Sequence, residues 1–342
     1  MRFGEGLRHH RSRILPIFGV LVLLAFLLFY LLIVPNLNLI PGSFGQGNGV
    51  TSPSPTEQKI INAFNSLYSA EKSGGNVTGL ANQLNQSAYL NDEGNLVNQT
   101  NPSQAASFYS QASALASQVS AQAPLVGASG AMQKRNAELV YLGEMSFLGV
   151  LAILAGIFLP KFFWNYWIKN RKNWTVRKRA KSGVGATQVQ AALLVIIFIL
   201  GLGVSYNYFD AHAVNSPYSE MALLGPNETL SNYPRNVTAG QNFTLYLHVG
   251  DYEGHLMYYK IVQVVGNLST VVNQTSTIQS PPIATYSFIL ANNETALRQL
   301  TLNLPTQSPF VKVAFEMFVY SVSDQSFVYY GQWNQIVLNV TA

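Results

Sequence analysis

A chain of 342 residues that is 48% apolar, 10% charged and free of cysteine has fewer charges than an ordinary soluble protein. It excludes disulfides, thiolate catalysis, iron–sulfur clusters and cysteine-based zinc sites. The net charge of +5 does not indicate a nucleic-acid binder. Eight of the twenty Lys and Arg residues lie between Lys161 and Lys181 with no Asp or Glu among them, whereas residues 207–342 carry four basic against eight acidic side chains. Basic charge concentrated between apolar runs faces lipid head groups.

Met1–Arg13 holds Arg2, Arg8, Arg11 and Arg13 against Glu5, and an uncharged run follows from Ile14 to Val34. At roughly 1.5 Å per residue such a run is about 31 Å long as a helix, the thickness of a bilayer core. Its length, and the absence of a small-x-small site after Val34, predict an uncleaved anchor rather than a signal peptide. A second apolar run, Leu139–Leu159, is interrupted only by Glu144, and a third spans Val189–Tyr206. The basic flanks then predict three spanning helices, with residues 1–13 and 160–188 cytoplasmic and residues 35–138 and 207–342 outside. Aromatic residues at the borders, Phe162–Trp167 and Tyr206–Phe209, suit the head-group region.

Residues 35–138 are expected to be helical. Pro41–Pro55 reads as a flexible linker. Ser54, Pro55 and Glu57 then form a capping-box start, Ile60, Ile61, Phe64, Leu67 and Tyr68 repeat at helical spacing, and Gly74-Gly75 is the stop. A short helix near Val77–Leu84 and a loop over Asn91–Gln99 follow. Asn101-Pro102-Ser103-Gln104 starts another helix, whose narrow stripe runs through Ala105, Phe108, Tyr109, Ala112, Leu115, Ala116 and Val119. From Met132 this helix can run straight into the second span. The expectation is a helical stalk or hairpin standing on the membrane.

After the third span the period changes from helical to alternating. Strands are expected at Phe243–Val249, Leu256–Val265, Thr285–Leu290, Leu297–Leu304, Val311–Tyr320, Phe327–Tyr330 and Gln335–Val340. Within the fifth, Val311, Val313, Phe315, Met317 and Val319 share one face and Lys312 and Glu316 the other. This pattern predicts an immunoglobulin-like antiparallel β-sandwich, making the whole an α+β membrane protein.

Acceptor triplets Asn-x-Ser/Thr begin at Asn76, Asn85, Asn98, Asn227, Asn236, Asn242, Asn267, Asn273, Asn293 and Asn339, all in segments expected outside. Asn173 alone falls in the cytoplasmic loop. Their distribution predicts a surface bearing N-linked glycans. Asp251, Glu253 and His255 alternate between Gly250 and Gly254, a set that suits a metal or acid–base site but equally a polar hairpin tip. The hairpin is the expectation. Glu144, with Gly149, Ala152 and Gly156 on the same helix, reads as a contact surface for a partner helix.

Tyr233-Pro234, Val237, Gly240 and the strand Phe243–Val249, leading into Gly250-Asp251-Tyr252-Glu253-Gly254 and Tyr258-Tyr259, resemble an archaeal membrane-protein family known as domain of unknown function 1616. The resemblance covers roughly residues 190–340 and implies an extracytoplasmic β-domain in an archaeal cell membrane, without an enzyme activity. Asp251-Tyr252-Glu253 stands where that family has an Asn-His-Glu turn, and the helical segment 55–138 is not part of its pattern. No nucleophile, phosphate loop or metal cluster points to catalysis or a cofactor. The expected role is a non-catalytic accessory subunit of a membrane complex, such as a respiratory or oxidase assembly or an oligosaccharyltransferase. Its partners are other membrane subunits, and lipids at the basic loop. A receptor for a solute or glycan, signalling through a separate protein, is the alternative.

Overall fold

The computed structural model describes residues 53–171, 216–304 and 308–342, all within one compact unit. The expected spans at 14–34 and 189–206, most of the linker before Ser54, the loop beyond Arg171 and Asn173 lie outside the described residues. Among the described residues no helix is long and apolar enough to cross a membrane; the side chains of residues 151–164, in the second expected span and just beyond it, lie outside them. Three helices come first and a β-rich layer follows, an α+β arrangement.

Helix α1, Pro55–Lys72, starts as its sequence predicts, with Ser54 Oγ accepting from the Glu57 N–H at 3.2 Å and Pro55 in the first turn. The capping box is not reciprocal, because the Glu57 carboxylate pairs with Lys260 instead. Gly74 ends the helix at φ 92°, its N–H bonding Glu71 O while Gly75 N–H bonds Ala70 O, the left-handed cap that glycine makes without strain.

Helix α2, Thr78–Val97, is longer than its sequence predicts and absorbs most of the expected loop at Asn91–Gln99. Asn91 and Asp92 are buried, and Gly94 lies against the Tyr109 ring. Tertiary contacts here override the weak helix propensity of Asn, Asp and Gly.

Helix α3, Pro102–Arg171, begins under Asn101, whose Oδ1 accepts from Gln104 N–H, and continues without a break through residues 139–159. Of the expected stripe, Ala105, Ala112, Ala116 and Val119 are fully buried and Phe108, Tyr109 and Leu115 half-buried, and Ala123 extends it, small residues that let α1 and α2 approach closely. The closest approach is at Gly130, where a Cβ would sit 2.1 Å from Gly75 N. Residues 131–140 are all exposed.

The β-layer has two sheets. Strands β1 (Tyr218–Leu224), β3 (Asn242–Tyr252) and β6 (Thr295–Asn303) make one in the order β1-β3-β6. The other is β2-β8-β7-β4-β5, built from β2 (Asn236–Thr238), β4 (Met257–Gly266), β5 (Ala284–Leu290), β7 (Ser308–Ser321) and β8 (Ser326–Thr341). Strands β1 and β2 were not expected, since neither is long enough or alternates clearly enough to stand out. The two segments expected at Phe327–Tyr330 and Gln335–Val340 are one strand, bulged around Gly331 (φ 80°), where the register shifts between Glu316/Trp333 and Phe318/Tyr329. β2 pairs with β8 in parallel, so the sandwich is not wholly antiparallel.

One core lies between the sheets, formed by inward residues such as Leu245, Leu247, Ile261, Phe288, Phe315 and Met317. A second core lies on the opposite face of the five-stranded sheet, where Tyr258, Val264, Phe318, Tyr320 and Phe327 pack with Ile60, Phe64, Leu67 and Leu84 of the helices. The helices are therefore not a free stalk but the third layer of one body. Lys312 and Glu316, expected on the face of β7 opposite the Val311–Val319 set, are buried with the rest of their strand.

Candidate functional site

Buried polar side chains concentrate at two seams. The first closes the outer edge of β5. Ser287, Ile289 and Ala291, at alternating positions, turn their N–H groups off the sheet, where an open edge invites pairing with another chain. Helix α2 supplies the acceptors for the first two. Asp92 takes the Ser287 N–H at 2.6 Å and its hydroxyl at 3.0 Å, and Asn85 Oδ1 takes the Ile289 N–H at 2.9 Å. Glu294 takes the Ala291 N–H at 3.2 Å and is itself held by Asn82 at 3.3 Å.

Arg298 of β6 reaches under the same helix to Asp92 at 2.7 Å and Glu93 at 3.0 Å. Its guanidinium lies 4.5 Å from the Tyr89 ring and 5.1 Å from that of Tyr286, a cation enclosed by two carboxylates and two aromatic faces. Burial pushes the Asp92 carboxyl up and Arg298 pulls against it. On α1, Glu57 pairs with Lys260, whose ammonium sits 3.9 Å from the centre of the Phe327 ring, and Glu71 accepts the Leu256 N–H at 2.8 Å.

The second seam is the crossing from β3 to β4. These strands belong to different sheets, so Gly250 and Gly254 do not bracket a hairpin as expected. Nor do Asp251, Glu253 and His255 converge. Asp251 is fully buried in β3, one oxygen accepting the Glu253 N–H at 2.9 Å. Glu253 accepts from Ser219 Oγ at 2.7 Å and from the Tyr330 hydroxyl at 2.5 Å. His255 turns its ring edge to Tyr68, with Nδ1 3.1 Å from Glu253 O. Side chains of β8 also close the edge of β1, since Gln332 and Asn334 donate to Ser219 O and Met221 O at 2.7 and 2.9 Å. Among the described residues no group of three His, Asp or Glu side chains is placed to hold a metal ion.

Among the described residues, two carboxyls are buried without a cation against them. Burial lifts Asp251 to about 7; hydrogen bonds from the Glu253 N–H and the Tyr259 hydroxyl oppose the rise, and repulsion from Glu253 and Glu71 adds to it. Burial likewise lifts Glu316 to about 7 against a hydrogen bond from the Ile278 N–H. Both groups take up protons on folding, so the stability they contribute is complete below the ordinary carboxylate range and is lost as pH rises through 7. The body formed by the helices and sheets is expected to melt higher at pH 5 than at pH 8, by about 2 kcal/mol of stability per group after allowance for water penetration. Asp251→Asn with Glu316→Gln should flatten that dependence. A profile already flat in the unsubstituted protein counts against it.

Most of the expected acceptor asparagines are exposed, among them Asn76, Asn98, Asn227, Asn236, Asn242, Asn267, Asn273 and Asn293, while Asn339 is half-buried. Asn85 is the exception, being an edge cap inside α2 whose triplet partner Ser87 is buried and donates to Ala112 O at 2.7 Å. On α3, a Cβ at Gly149 would meet nothing within 4 Å. Glu144, Ala152 and Gly156 lie in the same helix, with their side chains outside the described residues. Sequence reasoning missed Asp92, Arg298 and the Tyr330–Glu253–Ser219 group. The one signal available for them was polar residues inside otherwise apolar strands and helices, and that signal does not say what they meet.

No protein of curated function matches the chain. Solved structures similar to it include the CARDB domain of a Pyrococcus furiosus protein (10% identity, 36% of this chain and 95% of that one, TM-score 0.25). Another is the sporulation control protein Spo0M from Bacillus subtilis (14%, 38% and 51%, TM-score 0.23). The complex of zinc 2-glycoprotein with prolactin inducible protein from human seminal plasma is also similar (12%, 36% and 92%, TM-score 0.23). The family profile described as domain of unknown function (DUF1616) matches residues 213–326, a shorter span than the 190–340 of the sequence resemblance. It takes in β1 to β7 and stops where β8 begins. Residues 213–326 of this chain are a DUF1616 domain.

Proposed function

We propose that this chain is a non-catalytic accessory subunit of an archaeal cell-membrane complex. In this reading residues 14–34, 139–159 and 189–206 span the membrane, and the basic loop from Lys161 to Lys181 lies on the cytoplasmic lipid surface. The body of helices and sheets stands outside, with an immunoglobulin-like sandwich as its outer layers. The observation that carries it is on α3. Beyond residue 131 the helix leaves its own core, and Leu139, Val140, Leu142, Phe147 and Val150 are each more than half exposed. An apolar helix surface of that length is stable only against lipid or other apolar helices.

A second relation supports the same topology. Glu71 bonds Leu256, close to Tyr252, and Tyr252 pairs with Tyr218 at the start of β1. Gly74 meets Gly130 at the same end. Chain passing down α3 and chain returning into β1 therefore serve one end of the body, as two consecutive spans require. The closed edges of β1 and β5 fit a rigid spacer or docking module better than a mobile catalytic domain. The test is gentle detergent extraction of the whole protein, followed by mass spectrometry of co-purifying chains. Partners at a fixed ratio are expected, and a species holding only this chain overturns the reading.

A further inference from the structure

The strand registers sort the acceptor asparagines into two ends. The end holding Tyr218, Tyr252, Leu256 and Gly130 is the one from which α3 departs. At the opposite end lie the start of β3 and the end of β6, with Asn242 beside Asn303, and the end of β8 beside β2, with Asn339 opposite Asn236. Asn227 follows β1 and Asn267 follows β4 at this end, while Asn273 lies further along the five-stranded sheet, its carbonyl accepting from the Tyr329 hydroxyl at 2.9 Å. Asn98 joins them, because α2 runs from Asn82 at Glu294 toward Asp92 at Ser287 and onward. Asn76 and Asn293 lie at the end near α3's departure, and Asn85 is on that side through its bond to Ile289.

The far end is also where Leu230, Leu268, Val271, Ile283 and Phe310 are each more than half exposed. Leu268 sits inside the Asn267 triplet, and Val271 lies between the Asn267 and Asn273 triplets. Apolar side chains exposed together at one end form a surface that a cover would shield from water and from other chains. In both triplets the asparagine Oδ1 accepts the N–H of the residue two places on, at 3.0 Å for Ser269 and 2.9 Å for Thr275, so each is an exposed turn rather than part of a helix or strand.

We propose that N-linked glycans form a cap on the end of the body remote from α3's departure, covering these apolar side chains, and that Asn85 is not an acceptor but a structural cap of the β5 edge. The proposal rests on the extracytoplasmic placement put forward above. Asn85 differs from the others in three ways: it lies in mid-helix, its oxygen holds the Ile289 N–H, and Ser87 of its triplet is buried against Ala112.

The test is intact-glycopeptide mass spectrometry of the full chain made in an archaeal host that N-glycosylates its surface proteins. Glycans are expected at Asn267 and Asn273, with the Asn85 peptide unmodified. Ser269→Ala with Thr275→Ala should remove two glycans and promote aggregation at unchanged melting temperature. Asn85→Ala should leave the glycan mass unchanged and lower the melting temperature by several degrees. A glycan on Asn85, or bare Asn267 and Asn273, overturns the proposal. Labelling of the exposed Lys72 and Lys134 on intact cells with an impermeant amine reagent separates the two readings. Labelled cells with a bare far end reject the cap alone, and unlabelled cells reject the placement itself and the cap with it.

Discussion

Residues 216–342 made without the helices should not fold to a stable domain, whereas residues 53–131 supplied with them should restore cooperative unfolding. The reason is the second core. Tyr258, Val262, Val264, Ile289, Phe318, Tyr320, Phe327 and Tyr329 form the helix-facing surface of the five-stranded sheet. Burying a large apolar side chain is worth roughly 1.5–3 kcal/mol, so exposing this set forfeits on the order of 10–20 kcal/mol. That matches or exceeds the ~5–15 kcal/mol net stability of an ordinary domain. The separated sheets are expected to bind a hydrophobic dye, lose near-ultraviolet circular dichroism and aggregate. A sharp denaturant transition for residues 216–342 alone would show that the helices are an accessory layer and not part of the folding unit.

Arg298→Met should be the most damaging single substitution at the α2 seam. The guanidinium is 5% exposed and, among the described residues, is the only cation bonded to Asp92, itself 2% exposed. Removing it leaves a buried carboxylate uncompensated, a loss of about 3–5 kcal/mol in comparable settings, or a fall in melting temperature on the order of 10 °C for a body of this size. Adding Asp92→Asn should recover part of the loss. The amide oxygen can still accept the Ser287 N–H and carries no charge to be neutralised. If the double variant melts no higher than Arg298→Met, the ion pair is not the reason for the loss. Thermal melting of the full chain in detergent, with the single and double variants side by side, makes the comparison.

The second prediction also bears on why this seam could not be read in the sequence. Asp92 lies in Asn91-Asp92-Glu93-Gly94, a run with the composition of a loop, and its helical state depends on Ser287, Arg298 and Tyr109, which lie close to it only in the folded chain. Arg298 and Lys260 look in sequence like the solvent-facing residues of half-buried strands. A strand pattern tells which residues share a face but not whether a third layer covers that face, so the burial of the Glu316 face of β7 could not be read from it. Local capping chemistry was readable at Ser54, Gly74 and Asn101, where the deciding contacts lie within four residues of chain.

The same division applies to the chemistry of Asp251, Glu253 and His255. Their alternation placed them in one tight turn, but whether β3 and β4 pair with each other or belong to opposite sheets is decided by the partners β1, β6, β5 and β7, far away in sequence. Once the strands part, the three side chains are drawn to Tyr259, Tyr330 and Tyr68 neighbourhoods respectively, and the apparent cluster disappears.

Periodicity, caps and charge distribution act over a few residues, which is why the existence of the helices, most strands, the β-rich character of residues 218–341 and the DUF1616 resemblance were all legible before any fold was known. The docking of α1 and α2 onto the sheet, the closing of the β1 and β5 edges by side chains, and the separation of Asn85 from the other acceptors were not. Each depends on contacts between residues about 25 to 260 positions apart, and a buried polar group acquires its meaning only from the partner that satisfies it.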